Sequence, residues 1–293
     1  MTRPAPPEPP TVPEPGRLAR RLPVPGPPGP PAEPSPGERR AWRLIGVLAL
    51  ACVLLAGVAV TGASLIQRDT ARERTYFEAI GQLDIDSGPA HVTVRAGGTD
   101  RVVLVEQLGW ALRRPAVNVR IAAGRMSISV DCPEARFTGG CPVSLAVQVP
   151  PSTAVHARNG SGQTEIEGVA GSVSAETGSG QVQLTRISGP IWAKSGSGQI
   201  IGTGLSAPEA QLSAASGQVT LQYDRPPDLV ATRLASGNLL LQLPDDRSRY
   251  RIDLSSDGGS QTIDRSLQDL DSPRLLDVVS ASGTVTINRA GKP

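Results

Sequence analysis

From Gly81 onward, apolar and polar residues alternate. Leu83 and Ile85 form the first apolar pair, then Val92 and Val94, then Val117, Val119 and Ile121; Met126, Ile128 and Val130 follow, then Leu145, Val147 and Val149. A period of two marks half-buried strands, and the Gly, Pro and Asp clusters between these runs predict turns. Upstream the pattern changes. Leu44 to Ile66 is a run of 23 residues without a charge. A helix of that length reaches about 34 Å, enough for a hydrocarbon core about 30 Å thick. A transmembrane helix is therefore expected over 44–66, with Trp42 as an interfacial anchor. Residues 67–79 read as a stalk, helical over the charged stretch 67–77. Residues 1–43 read as a tail. Its first 36 residues hold 15 prolines and no apolar periodicity, so disorder with polyproline II character is expected. The plain reading of this tail is a semi-rigid spacer. Pro4-Ala5-Pro6-Pro7 and Pro6-Pro7-Glu8-Pro9 also fit the PxxP pattern that aromatic grooves recognise, which leaves a cytoplasmic partner open.

Within the strand-rich region one motif recurs: Ser161-Gly162-Gln163, Ser179-Gly180-Gln181, Ser197-Gly198-Gln199, Ser216-Gly217-Gln218 and Ser236-Gly237-Asn238, at spacings of 18, 18, 19 and 20. Ser282-Gly283-Thr284 closes the series, and Gly258-Gly259-Ser260 fits between as a degenerate copy. Apolar residues keep fixed offsets from each Ser. Val155 and Ala157, Val173 and Ala175, Ile191 and Ala193 precede it; Thr164 and Ile166, Val182 and Leu184, Val219 and Leu221 follow it. Each unit thus has two short strands with two inward residues each, joined at a Gly corner. One unit cannot bury enough surface to fold alone, so a fixed period of this kind predicts stacking. The fold class expected is all-β: a parallel β-solenoid over residues 80–290 with two-strand rungs of about 18–20 residues. The corner glycines are expected to supply a backbone conformation that side chains disfavour. Stacking in chain order places Arg158, Glu176 and Lys194 on one outward column, and Gln163, Gln181, Gln199 and Gln218 on another, where amides could bond along the stack.

Composition and charge then narrow the function. A net charge of +2 gives no electrostatic case for nucleic acid. The basic residues are almost all Arg, with Lys only at 194 and 292, a bias that points to a GC-rich bacterium. Of the three cysteines, Cys52 sits in the apolar run as a small hydrophobe. Cys132 and Cys141 lack the further ligands a zinc site needs, so a disulfide is expected, which requires an oxidising compartment. Arginines flank both ends of the apolar run equally. Arg3, Arg17, Arg20 and Arg21 in the tail favour the N-terminus inside and the C-terminal part outside. Two rival readings of the run are cleavage after Ala63, with a faint twin-arginine pattern at Arg39-Arg40, and a lipoprotein at Cys52; both fit less well than a retained span.

Chemistry is sparse. The only histidines are His91 and His156. His156 shares a predicted outward column with Ser174 and Trp192, but no third group is evident to orient an imidazole. The acids read as scattered, so no paired carboxylates on adjacent rungs are expected. No phosphate loop, metal site or cofactor site is visible. Trp192 and His156 are the candidate surface-binding residues, with Trp192 as a stacking platform for a sugar or a partner.

The Ser-Gly-Gln-Val-x-Leu repeats, the preceding strand with Ser87-Gly88, the Cys pair and the Val149-Pro150 entry into the repeats resemble the bacterial putative-adhesin domain family. The resemblance covers roughly residues 80–288. It implies an envelope β-solenoid, and the family has no established catalytic residues to carry over. The expected function is a non-catalytic binding or interaction module held at the bacterial cell membrane, with an envelope protein or polysaccharide as partner. The other reading is a membrane signalling or scaffold component whose Pro-rich tail recruits a partner inside the cell.

Overall fold

A computed structural model describes residues 45–53, 68–98, 101–110, 113–133 and 141–291. The chain divides into two compact units, Met1–Ala59 and Val60–Pro293. In the first, residues 45–53 are helical, with Ile45, Val47, Leu48, Leu50 and Val53 exposed. Among the described residues no helix is long and apolar enough to cross a membrane. The rest of the expected 44–66 span, and the whole tail of residues 1–43, lie outside the described residues.

The second unit is built of strands. Its first part contains β1 (Arg68–Tyr76), β2 (Gln82–Asp86), β3 (His91–Ala96), β4 (Val102–Trp110), β5 (Ala116–Ala122), β6 (Arg125–Asp131) and β7 (Val143–Val149). The regular repeats follow as β8 (Ala154–Asn159), β9 (Gln163–Glu167), β10 (Val173–Thr177), β11 (Gln181–Thr185), β12 (Ile191–Ser195), β13 (Gln199–Leu205), β14 (Glu209–Ala214) and β15 (Gln218–Tyr223). Then come β16 (Leu229–Ser236), β17 (Asn238–Leu243), β18 (Arg251–Ser256), β19 (Ser260–Ile263), a 3-10 turn (Arg265–Leu267), β20 (Leu275–Ser282) and β21 (Thr284–Arg289). The strands form two sheets, and each repeat contributes one strand to each. Pairing between repeats is parallel and in register, as when Val173, Ala175 and Thr177 of β10 lie between Val155, Ala157 and Asn159 of β8 and Ile191, Ala193 and Ser195 of β12. This is a β-solenoid of the expected kind.

The stacking does not follow chain order at either end. β2 and β3 pair with β8 and β9, while β6 and β7 sit outside them. At the other end β20 and β21, the last strands of the chain, insert between β16/β17 and β18/β19. The degenerate Gly258-Gly259-Ser260 copy is therefore the terminal rung, not an intermediate one. Its inward residues Ile252 and Leu254 are only half buried, because no described strand stacks beyond them.

The helical stalk expected over 67–77 is instead strand β1, antiparallel to β4, which is antiparallel to β7. The β body thus begins at Arg68, not at residue 80. A densely charged strand suits a sheet edge, where charge discourages pairing with another chain. β5 closes the other sheet in the same antiparallel manner. The Cys132–Cys141 disulfide forms, with the Cα atoms 5.9 Å apart.

The inward residues read from the repeats are buried on every inner rung, and among the described residues the buried core contains Tyr223 and Tyr250 but no Phe or Trp. Where Gly202 leaves room in one rung, the β13 chain bulges and the Leu205 side chain fills the space.

Candidate functional site

The corner glycines line up along one edge of the stack, as the period predicts, but for a different reason. Gly162, Gly180, Gly198, Gly217 and Gly237 do not adopt positive φ. A Cβ on Gly180 would collide with the carbonyl oxygen of Gly162, one on Gly198 with that of Gly180, and one on Gly217 with that of Gly198. Gly237 and Gly283 continue the same contact, with Gly283 also at a φ of 128°. The corner is thus a column of backbone against backbone, and hydrogen is the only side chain that fits.

A second device, unread in the sequence, holds the earlier corners. Asn159, Thr177 and Ser195 are buried two residues before Ser161, Ser179 and Ser197. Their side chains accept hydrogen bonds from the amides of Gly162 (2.7 Å), Gly180 (3.0 Å) and Gly198 (2.9 Å). The signal was present: these three repeats read Asn/Thr/Ser-Gly-Ser-Gly, whereas the next two read Ala214-Ala215-Ser216-Gly217 and Leu234-Ala235-Ser236-Gly237. Ser161, Ser179, Ser197, Ser216, Ser236 and Ser282 remain exposed beside this column, and a shallow groove of about 330 Å³ runs along its later rungs.

The outward columns are in register. Arg158, Glu176 and Lys194 are direct neighbours, with Glu176 3.7 Å from Arg158 and 3.3 Å from Lys194. Gln163, Gln181, Gln199 and Gln218 also align, but among the described residues no hydrogen bond joins successive amides.

A groove of about 760 Å³ crosses the outer face of the sheet that contains β2, β8, β10 and β12. Its floor is one column: Asp84, His156, Ser174 and Trp192, on four adjacent strands. Asp86, Arg158 and Glu176 line the neighbouring column, and Arg120 and Arg125 reach in from β5 and β6. Short side chains between long ones create the concavity. Three acids thus gather in the groove, though no two of them are neighbours on adjacent strands. Asp84 and Asp86 face His156 and Arg158 across the β2–β8 pairing, with Glu176 one strand further. The period could not reveal this, because β2 lies 72 residues before its partner β8 and outside the repeat.

Charge in the groove is balanced and largely satisfied. Arg125 lies 3.5 Å from Asp84 and donates to Gln82 at 3.0 Å, and Gln82 donates to Asp84 at 2.9 Å. Glu176 is held by Arg158 and Lys194. His156 and Trp192 are exposed. Among the described residues His156 has no hydrogen-bond partner, and nothing stacks on Trp192, whereas Arg114 covers the ring of Trp110 at 5.2 Å. Asp84, His156 and Ser174 stand in the order acid, base, hydroxyl, but no hydrogen bond joins them. Nucleophilic catalysis works through such a bond, and a carboxyl tuned as a general acid usually sits in apolar surroundings, whereas Asp84 and Glu176 lie in ion pairs. No group of residues suited to hold a metal ion occurs among the described residues.

The family model described as Toastrack DUF4097 matches residues 117–288, more than half of the chain. The chain belongs to the Toastrack DUF4097 family. The match runs from β5 to β21 and so covers all the regular rungs, in keeping with the resemblance to putative-adhesin domains. No curated protein matches this Toastrack chain. Solved structures similar to it include a putative adhesin from Bacteroides fragilis NCTC 9343, at 11% identity and a TM-score of 0.43, covering 75% of this chain and 97% of that one. A putative lipid binding protein from Parabacteroides distasonis ATCC 8503 is 14% identical with a TM-score of 0.44, covering 76% and 97%. A putative cell adhesion protein from Clostridium sporogenes ATCC 15579 is 9% identical with a TM-score of 0.38, covering 75% and 99%.

Proposed function

We propose that this Toastrack protein is a non-catalytic binding module of the bacterial cell envelope, anchored by one span over residues 44–66 with its solenoid outside. The observation that carries the reading is the groove on the β2–β8–β10–β12 face, where an uncovered Trp192 and an unpartnered His156 stand over a rigid parallel sheet. Support for the location comes from the uncharged run of residues 44–66, the arginines of the tail and the disulfide, which calls for an oxidising compartment. The ion pairs that hold Asp84 and Glu176 support binding rather than bond cleavage.

The test is capture of envelope material by immobilised full-length protein. Wild type retains a component that the Trp192→Ala variant loses. Equal retention by both overturns the groove as the site. A second reading, signalling through the tail, is favoured by the 15 prolines of residues 1–36. Deleting residues 2–36 leaves envelope capture intact if the first reading holds.

A further inference from the structure

We infer that the groove takes a neutral glycan chain, laid across the strands along the Asp84–His156–Ser174–Trp192 column. This deepens the binding reading above and rests on it.

The groove lies on a sheet face, where the backbone groups of β2, β8, β10 and β12 are already paired in parallel ladders. A peptide that recognises its partner through main-chain hydrogen bonds needs an open strand edge, and this face has none. The ligand must be read by side chains alone.

Charge selects next. Arg120, Arg125 and Arg158 are met by Asp84, Asp86 and Glu176 within the same groove. A polyanion would gain from the arginines and be repelled by the carboxylates, two of which hold guanidinium groups in ion pairs. A ligand rich in hydroxyls meets no such conflict. It donates to carboxylates and accepts from guanidinium, imidazole and serine groups, and the existing ion pairs stay in place.

The aromatic residue decides between glycan and other neutral polymers. Trp192 is 41% exposed, with no cation or ring over it. A flat indole beside hydrogen-bonding groups offers the two things a pyranose presents, an apolar C–H face and a rim of hydroxyls. The column spans about 14 Å from Asp84 to Trp192 at the usual strand spacing, room for about three sugar rings. Asp86 and Ser174 are then the hydroxyl-reading groups, and Trp192 the stacking platform.

The experiment titrates full-length protein, in a detergent without sugar headgroups, with cellohexaose, maltohexaose and N-acetylchitohexaose, and separately with polyphosphate and dextran sulfate. Calorimetry and tryptophan fluorescence are the readouts. At least one neutral hexasaccharide binds, with an affinity that changes less than about twofold between about 0.05 and 0.5 M salt. Trp192→Ala weakens it about tenfold or more, while Trp192→Phe, which keeps a ring, retains most of it. Asp86→Asn weakens it without altering the thermal melt. Binding of polyphosphate or dextran sulfate that falls steeply with salt, with no hexasaccharide bound, overturns the glycan assignment. So does persistent Trp192-dependent capture of envelope material with no hexasaccharide bound, and that outcome leaves the broader binding reading standing. Loss of both would remove the two together.

Discussion

A single methyl group tests the corner of the solenoid. A Cβ on Gly198 meets the Gly180 carbonyl, which belongs to the backbone of the next rung and cannot turn aside. Gly198→Ala is therefore expected to cost about 1–3 kcal/mol, as over-packing does elsewhere. Gly98 has open space around its missing Cβ and no positive φ, so Gly98→Ala is expected to be close to neutral. Urea unfolding of the two variants side by side checks the contrast, and equal midpoints would contradict a stacked corner. Thr177→Val probes the other corner device. It keeps the shape but leaves the buried amide of Gly180 without its acceptor, a loss expected to be about 1–3 kcal/mol. Asn159 carries more, since its amide also donates to the Ala90 carbonyl (3.2 Å) and the Thr164 hydroxyl (3.1 Å).

Among the elements, the loop between β17 and β18 is tied down by one residue of the last strand. Arg289, nearly buried, donates to the carbonyls of Pro244 (3.0 Å) and Ser248 (2.9 Å) and lies 3.5 Å from Asp246. Partial burial works against ionisation of Asp246. The hydroxyl and amide of Ser248, with Arg289 and Arg274 nearby, outweigh it and hold the carboxyl below its ordinary range. A depressed carboxyl contributes stability above its unfolded pKa, about 3.9. That contribution is lost as pH falls through the lower folded value. The stability gap between wild type and Asp246→Asn is accordingly expected near neutral pH and should close in acid, as measured by urea midpoints across the range. Opening the Cys132–Cys141 bridge by Cys132→Ser and Cys141→Ser frees a short loop and is expected to cost about 2–3 kcal/mol. Elements of the repeat were legible because their period puts inward residues at fixed offsets. Those outside it were not. β4 begins with the unbroken apolar run Val102-Val103-Leu104-Val105 and β1 carries five charged residues in nine, so neither shows alternation. The floor of the groove was half legible for the same reason. His156, Ser174 and Trp192 share a period, while Asp84 and Asp86 reach them only through a long-range pairing.

For the solenoid as a whole, the order of rungs decides what a deletion does. In a stack laid down in chain order, removing the last rung would shorten the molecule and leave the rest paired. Here, removing residues 273–293 takes out β20 and β21 and separates β18 and β19 from their neighbours. Hydrogen exchange is expected to show lost amide protection over residues 251–263, with protection retained from β8 to β13. Undiminished protection of β18 and β19 in that deletion would contradict the inserted position.

The same interpolation bears on how the protein is born. A ribosome delivers β16, β17, β18 and β19 before the residues that belong between them exist. Folding cannot then keep pace with synthesis across this seam, which closes only when residues 275–289 arrive. Until β20 and β21 arrive, the margins of β16 and β17 and those of β18 and β19 lack the neighbours they have in the finished stack, and are free to meet each other instead.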